Sequence, residues 1–189
     1  MDLTEARYIV PCRSGSKRLP GKNWLPLGGK PLIRWTLDLL DELGLRDRTI
    51  IVDDAGGLHH RELGRYYLER PPLLATDIAS SEDVVRFALA ALGVLDHAPV
   101  MLLQPTSPFR RSHHLCAVLE LHDLNPVISG TPGDGPDGAY YLAIAHEWFR
   151  REQIADGPVH WWDSLGATGP DIDAAEDLAA AELALEVAR

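Results

Sequence analysis

Cysteine and positive charge are both scarce in this chain. Cys12 and Cys116 are the only cysteines among 189 residues, too few for a disulfide framework, so nothing in the sequence asks for an oxidising compartment. Lysine and arginine number 18 against 28 aspartates and glutamates, a formal net charge of -10. That balance argues against a nucleic-acid backbone as the main partner. No apolar run approaches membrane-spanning length, and the opening Met1-Asp2-Leu3-Thr4-Glu5 lacks the basic and apolar regions of a signal peptide. A cytoplasmic protein without a membrane partner is therefore expected. The length suits a single domain over residues 1–189, large enough to bury a sizeable core without metals or disulfides.

The few cations are unevenly spread. Residues 10–23, V-P-C-R-S-G-S-K-R-L-P-G-K-N, place Arg13, Lys17, Arg18 and Lys22 on one glycine- and serine-rich loop. The preceding Tyr8-Ile9-Val10 reads as a short buried strand, so the loop leaves a strand's carboxyl end, where open α/β sheets bind ligands. Backbone N–H groups of such a loop converge on phosphate oxygens while Arg and Lys neutralise them. The competing reading is a surface turn with solvated charges. A Walker A loop is excluded, because five residues separate Gly15 from Gly21 and Asn23 follows Lys22. No G-x-G-x-x-G opens a helix after the first strand, which excludes the dinucleotide fingerprint.

Along the rest of the chain, short apolar runs alternate with amphipathic segments, the pattern of βαβ units. Thr49 to Val52, Val100 to Leu103, Val127-Ile128 and Ala139 to Ala145 read as further strands. Ile33, Leu37, Leu40 and Leu43 share one face of a helix that Pro31 opens and Gly44 closes. Ser80 or Ser81 can cap a helix from Glu82 that turns Val84, Val85, Ala88, Leu89, Leu92 and Leu95 inward. Ser112 to Leu124 reads as a helix, and Asp173 to Ala188 as an Ala-rich closing helix with Leu178, Ala181 and Leu185 on one side. The stretch Gly130 to Gly138, with four glycines and two prolines, reads as loop. Together these predict a three-layer α/β/α, Rossmann-like domain with a mostly parallel sheet.

The loop resembles the signature of Rossmann-like nucleotidyltransferases, and further blocks narrow that likeness. Ser16-Lys17-Arg18-Leu19-Pro20-Gly21-Lys22-Asn23 and Leu27-Gly28-Gly29-Lys30-Pro31-Leu32-Ile33 resemble the start of the CMP-sialic acid synthetases, the acylneuraminate cytidylyltransferases. The likeness recurs at Arg70-Pro71, at Leu74-Ala75-Thr76-Asp77-x-Ala79-Ser80-Ser81, at Gln104-Pro105-Thr106-Ser107-Pro108-Phe109-Arg110 and at Asp171-Ile172-Asp173, in family order.

That resemblance implies transfer of CMP from CTP to an acidic sugar of the 2-keto acid, sialic-acid-like class, with release of pyrophosphate. Arg13 and Lys22 would carry the triphosphate, with Ser14, Gly15 and Ser16 supplying N–H groups and hydroxyls. Lys17 and Arg18 are equally readable as solvated or acid-paired, and Asn23 as a ribose contact or a loop tie. Arg70 and Ala79-Ser80-Ser81 would read cytosine, although Ser81 alone reads as a helix cap. Gln104, Thr106 and Ser107 would meet the acceptor, against the alternative that Q-P-T-S-P is a rigid exit turn. Asp171 and Asp173 would hold Mg2+, although Asp173 could also cap the final helix. His59-His60 and His113-His114 are sequence neighbours whose rings diverge on helices, so neither pair is read as a metal site. His160-Trp161-Trp162 reads as core or lid packing, and Cys12 as a buried thiol rather than a nucleophile.

The chain departs from the family in two places. Ile51-Val52-Asp53-Asp54 stands where the family has Ser-Thr-Asp or Thr-Thr-Asp, and the acceptor and dimerisation extension is trimmed around residues 125–165. The resemblance implies a homodimer, yet that trimmed segment carries most of the family's dimer contact. After Arg111 only Arg150, Arg151 and Arg189 remain as cations for an anionic acceptor. The alternatives are a cytidylyltransferase for a smaller acid such as a phosphonate, and a catalytically inactive nucleotide-binding homologue.

Overall fold

The structure, a computed structural model, describes residues 2–54, 66–76, 78–94, 97–122, 125–131, 135–163 and 169–187. Nine strands are described: β1 (Arg7–Pro11), β2 (Pro26–Leu27), β3 (Lys30–Pro31), β4 (Thr49–Asp53), β5 (Tyr66–Glu69), β6 (Pro99–Leu102), β7 (Val127–Thr131), β8 (Gly135–Ile144) and β9 (His160–Trp162). The described α-helices are α1 (Leu32–Glu42), α2 (Ser81–Leu92), α3 (Ser112–Leu121), α4 (Ala145–Arg150) and α5 (Ala175–Val187).

Seven strands form one sheet in the order β5-β4-β1-β6-β8-β7-β9, and among the described strands β8 alone runs against the others. The continuous apolar runs follow from this arrangement, since a parallel strand covered on both faces has no side for polar residues. Side chains alternate across the sheet. Tyr8, Val10, Ile51 and Met101 pack with Ile33 and Leu37 of α1 and with Leu115 of α3. Ile9, Ile50, Val52 and Leu102 pack on the opposite face with Val85 and Leu89 of α2 and Trp148 of α4. The result is the expected three-layer, mostly parallel α/β/α fold.

Local signals explain the helix ends. Gly44, with φ of 71°, follows α1, as its predicted closing role requires. A reciprocal capping box between Ser80 and Asp83 opens α2, and Gly93 closes it at φ 63°. The sequence expectation fails at residues 130–138, which are not a loop throughout. Gly130 pairs with Pro136 and Thr131 with Gly135, after a register shift between Ile128 and Gly130. Glycine and proline are tolerated there because a bulge interrupts the ladder. Four described strands escaped the sequence reading: the two-residue β2 and β3, β5, and β9, the last formed by the His-Trp-Trp run at the sheet edge. α3 ends at Leu121 rather than Leu124. Leu95, Leu124, Ala188 and the His59-His60 pair lie outside the described residues.

β2 and β3 form a hairpin that receives α5. Its turn glycines, Gly28 and Gly29, have φ of 59° and 87°, a backbone open to glycine at little cost. A Cβ on Gly28 would lie 2.9 Å from Leu185 Cδ1, and the Gly28 N–H donates to Glu182 Oε1 at 2.8 Å. Leu27, Leu32, Ile172 and Ala181 are buried together here, in a cluster separate from the two faces of the sheet.

Candidate active site

β4 flanks β1 on one side and β6 on the other. The chain therefore reverses direction across the sheet at β1, leaving a crevice beyond the strands' carboxyl ends. A cavity of about 190 Å³ occupies it. The loop after β1 contributes Arg13, Lys22 and Asn23, and the segment after β5 contributes Arg70, Thr76 and Ala79. Ser80 and Ser81 line it from the start of α2, and Gln104 and Thr106 from the turn after β6. Two adjoining grooves share Arg13: one reaches Gly15, Ser16 and Lys17, the other Arg18 and Asp173. A line of cations thus runs out from a polar cavity, suited to a ligand with an extended polyanionic end.

The loop is closed at its base. Gly21, at φ 66°, donates to Ser14 O at 3.2 Å. Asn23 is buried and gives Nδ2 to Arg13 O at 3.3 Å, which makes it a loop tie. Its Oδ1 is buried without a partner among the described residues. The Ser14 N–H, expected to serve phosphate, is instead donated to Asp54 Oδ1 at 2.7 Å. Asp54 follows β4, the neighbour of β1, which brings its carboxylate against the loop. Cys12 is buried, its N–H bonded to Val52 O at 2.8 Å. Burial pushes its thiol well above the usual range, which suits packing and not nucleophilic attack.

Arg70 is 6% exposed and directs its guanidinium to Val52 O at 3.2 Å and Leu74 O at 3.4 Å. Burial lowers its pKa, and Asp54 is the foremost charge opposing that shift. Ser80 spends its hydroxyl on the Asp83 N–H at 3.1 Å. It is Ser80 that caps α2, and Ser81 accepts a bond from Gln104 Nε2 at 3.2 Å. That bond joins the segment expected to read the base to the residue expected to meet the acceptor.

Thr106 lines the cavity, and its buried hydroxyl has no partner among the described residues. Ser107 does not line it: the side chain is 1% exposed and donates to Asp171 Oδ1 at 2.9 Å. Its hydroxyl is thus committed to Asp171 and does not face the cavity expected to take the acceptor. Arg110 explains why the turn holds its shape. Buried at 6% exposure, it donates to Ala139 O at 2.7 Å, Ser107 O at 2.9 Å and Thr36 Oγ1 at 3.2 Å. Burial brings its pKa down to about 10, so it stays charged at neutral pH.

Ile172 is buried between Asp171 and Asp173, and its N–H donates to Thr106 O at 2.8 Å. Asp173 accepts Lys22 Nζ at 2.7 Å and also pairs with Arg18. Of the two readings of Arg18, pairing with an acid is therefore the observed one. Asp173 does not cap α5: Asp177 reaches back to the N–H groups of Asp173 and Ala174 at 2.9 and 2.8 Å. Burial works against ionisation of Asp173, but Lys22 and Arg18 hold its carboxyl below the usual range. Among the described residues no cluster of three or more His, Cys, Asp or Glu could hold a metal. Asp171 and Asp173 are nonetheless hard oxygen donors next to the cationic groove, and magnesium commonly takes one or two carboxylates plus substrate phosphates. The donor set fits that ion.

Other candidates fall away. His113 and His114 rings meet at 4.3 Å rather than diverging, and His114 is buried with Nδ1 accepting the Arg111 N–H at 3.3 Å. Arg150 and Arg151, the cations left for an acid acceptor in the shortened region, both bind Glu147, at 2.7 and 2.6 Å. Sequence reasoning missed Asp54, Arg110 as a strut, and Asp177. Asp54 carried a usable signal, an acid directly after an apolar strand, the same placement that singled out Gln104.

Residues 8–125 match the sequence model of the cytidylyltransferase family. The chain belongs to that family. It is 39% identical over 128 residues to an N-acylneuraminate cytidylyltransferase of Streptococcus agalactiae, covering 64% of this chain and 30% of that protein. It is 32% identical over 132 residues to a CMP-N,N'-diacetyllegionaminic acid synthase of Legionella pneumophila, covering 66% of this chain and 56% of that protein. The chain thus spans only part of the length of the curated relatives it matches. Its fold matches a cytidylyltransferase structure from Leptospira borgpetersenii with a TM-score of 0.72 at 14% identity, over 97% of this chain and 87% of that one. No helix among the described residues is long and apolar enough to cross a membrane.

Proposed function

We propose that the chain transfers CMP from CTP to an acidic sugar of the 2-keto acid class, releasing pyrophosphate, in the cytoplasm. The observation that carries this reading is the convergence of the loop, the Arg70 segment, the start of α2 and the Gln104 turn on one cavity. The names of the relatives supply the substrate class. The acceptor hydroxyl oxygen forms a bond to the α-phosphorus, the bond from that phosphorus to the bridging oxygen breaks, and pyrophosphate leaves with that oxygen. The hydroxyl proton passes to solvent, no general base being assigned among the described residues.

Nucleotidyl transfer of this kind depends on positioning and charge neutralisation more than on covalent chemistry. Arg13 and Lys22 neutralise the triphosphate, with Gly15 and Ser16 along its path. For Lys22 this means exchanging Asp173 for a phosphate oxygen. Arg70 and the backbone from Ala79 to Ser81 hold the base, and Gln104 and Thr106 orient the acceptor. Asp171 and Asp173 would hold magnesium, which when bound supplies charge neutralisation at the phosphates and acidity at the acceptor hydroxyl. Ser107 orients Asp171.

The test is pyrophosphate release with each of the four NTPs against a panel of 2-keto acid sugars and phosphonates. Release only with CTP and a 2-keto acid sugar is expected. Preference for another NTP rejects the cytidine assignment, and turnover with phosphonates alone redirects the acceptor class. CTP binding without release under any acceptor identifies an inactive homologue.

A further inference from the structure

We propose that Asp54 is the positioning residue that sets the phosphate loop against the base-binding side of the cavity; the inference rests on the CTP reading above. Asp54 lies one residue past β4. Its Oδ1 accepts the Ser14 N–H at 2.7 Å, a bond between residues 40 apart in sequence. Its own N–H is fixed by Asp53 Oδ1 at 2.9 Å, and Asp53 is fully buried. The Asp53 carbonyl in turn accepts the Arg70 N–H at 2.7 Å. Two residues at the end of one strand therefore tie the loop at one end of the cavity to Arg70 at the other.

The loop's own bonds show what this tie accomplishes. Arg13 O is held by Asn23 Nδ2, Ser14 O by the Gly21 N–H, and Ser14 N by Asp54. All three fix the base of the loop, whereas Gly15, Lys17 and Arg18 beyond it are exposed. Of the three, the Asp54 bond is the shortest and the only one with an ionised acceptor, a type roughly twice as strong as its neutral counterparts. It is also the one that reaches outside the loop to the rest of the sheet. A negative charge beside a triphosphate site would ordinarily repel the ligand. Here the adjacent Arg70 cation offsets it: Asp54 is the foremost charge holding the Arg70 pKa up against burial. The loop is thus set before the ligand arrives, which lowers the ordering cost of binding.

The test measures calorimetric binding of CTP, inorganic triphosphate and cytidine to the wild type, Asp54→Ala and Asp54→Asn, together with KM and kcat. For Asp54→Ala, dissociation constants for CTP and triphosphate rise about tenfold, the loss of one charge-assisted bond. Cytidine binding stays within about twofold, and KM for CTP rises more than kcat falls. Asp54→Asn stays within about threefold of the wild type, because the amide oxygen still accepts the Ser14 N–H. Should Asp54→Ala fail to fold, Asp54→Ser carries the same expectation, its hydroxyl stopping short of Ser14. Triphosphate binding that is unchanged or tighter in the truncation overturns the proposal and makes the carboxylate a competitor of phosphate. Equal loss of cytidine overturns it as well, by showing general collapse of the cavity. A wild type that binds none of the three rejects the CTP reading and this inference with it; a wild type that binds CTP beside an unaltered Asp54→Ala rejects the inference alone.

Discussion

Replacing Asp173 by asparagine separates stability from chemistry. Its carboxylate pairs with Lys22 at 2.7 Å and with Arg18, at side-chain exposures of 34% for Asp173, 16% for Lys22 and 69% for Arg18. Pairs this open to water are screened and contribute about 0.5–1 kcal/mol. In a chain of this length that is a fall in Tm of about 1–4 °C. The sign with pH follows from the lowered carboxyl pKa: the stabilisation is complete above pH about 4, the unfolded value, and is lost as pH falls below it. Wild type and variant should therefore converge in stability at low pH. Function should respond quite differently. Lys22 and Arg18 no longer give up an acid when phosphate arrives, so metal-free CTP binds about two- to fivefold tighter in the variant. Turnover with magnesium falls to below about one-hundredth, because a carboxylate that would hold the charge-neutralising magnesium at the reacting phosphates is gone. Differential scanning calorimetry, CTP titration in EDTA and pyrophosphate release give the three readouts. Turnover within tenfold of the wild type, or weaker metal-free CTP binding, would refute the reasoning.

Three further outcomes follow from geometry described above. Ser107→Ala frees the Asp171 carboxylate from its 2.9 Å bond; the magnesium concentration giving half-maximal rate should rise several-fold while KM for CTP changes little, and an unchanged magnesium titration would return Ser107 to a purely structural role. Hydrogen bonds from Arg150 first, then Arg151, hold the Glu147 pKa down at about 2, so Glu147→Gln should cost about 3 kcal/mol at neutral pH. That cost should shrink as pH falls from about 4.5 toward 2, as denaturant titrations across pH would record. Cys12 is buried and Cys116 exposed, so a chromogenic disulfide reagent should titrate one thiol in the native protein and two in denaturant; fast reaction of both would contradict the packing role of Cys12.

The architecture was legible wherever local pattern decided it. Tyr8-Ile9-Val10, the run from Thr49 and the run from Val100 are buried on both sides, so their continuous hydrophobicity is itself the signal of a central parallel strand. Edge elements gave no such signal. Tyr66–Glu69 is short and ends in an acid, and His160–Trp162 reads equally well as packing, so only pairing with a distant neighbour makes either one a strand. Gly130 to Gly138 misled because glycine and proline speak against a strand interior, whereas the bulge beside Ile128 removes that objection. At the site, residue types pointed to Arg13 and Lys22, and the family resemblance to Arg70 and Gln104, all of which line the cavity. What composition could not convey was commitment. That Ser107 serves Asp171, Ser14 serves Asp54 and Arg151 serves Glu147 depends on contacts set by the fold.

The cluster of Leu27, Leu32, Ile172 and Ala181 has a consequence for motion. The carboxylates of Asp171 and Asp173 hang on a segment anchored in this small outlying core, apart from both faces of the sheet. Units of this kind open at a lower free energy than the central strands around them. Amides from about Ile172 through α5 should therefore exchange with solvent well before those of β1 and β4. Such an opening would part Asp173 from Lys22 and Arg18, whose loop is tied to the sheet through Ser14 and Asp54.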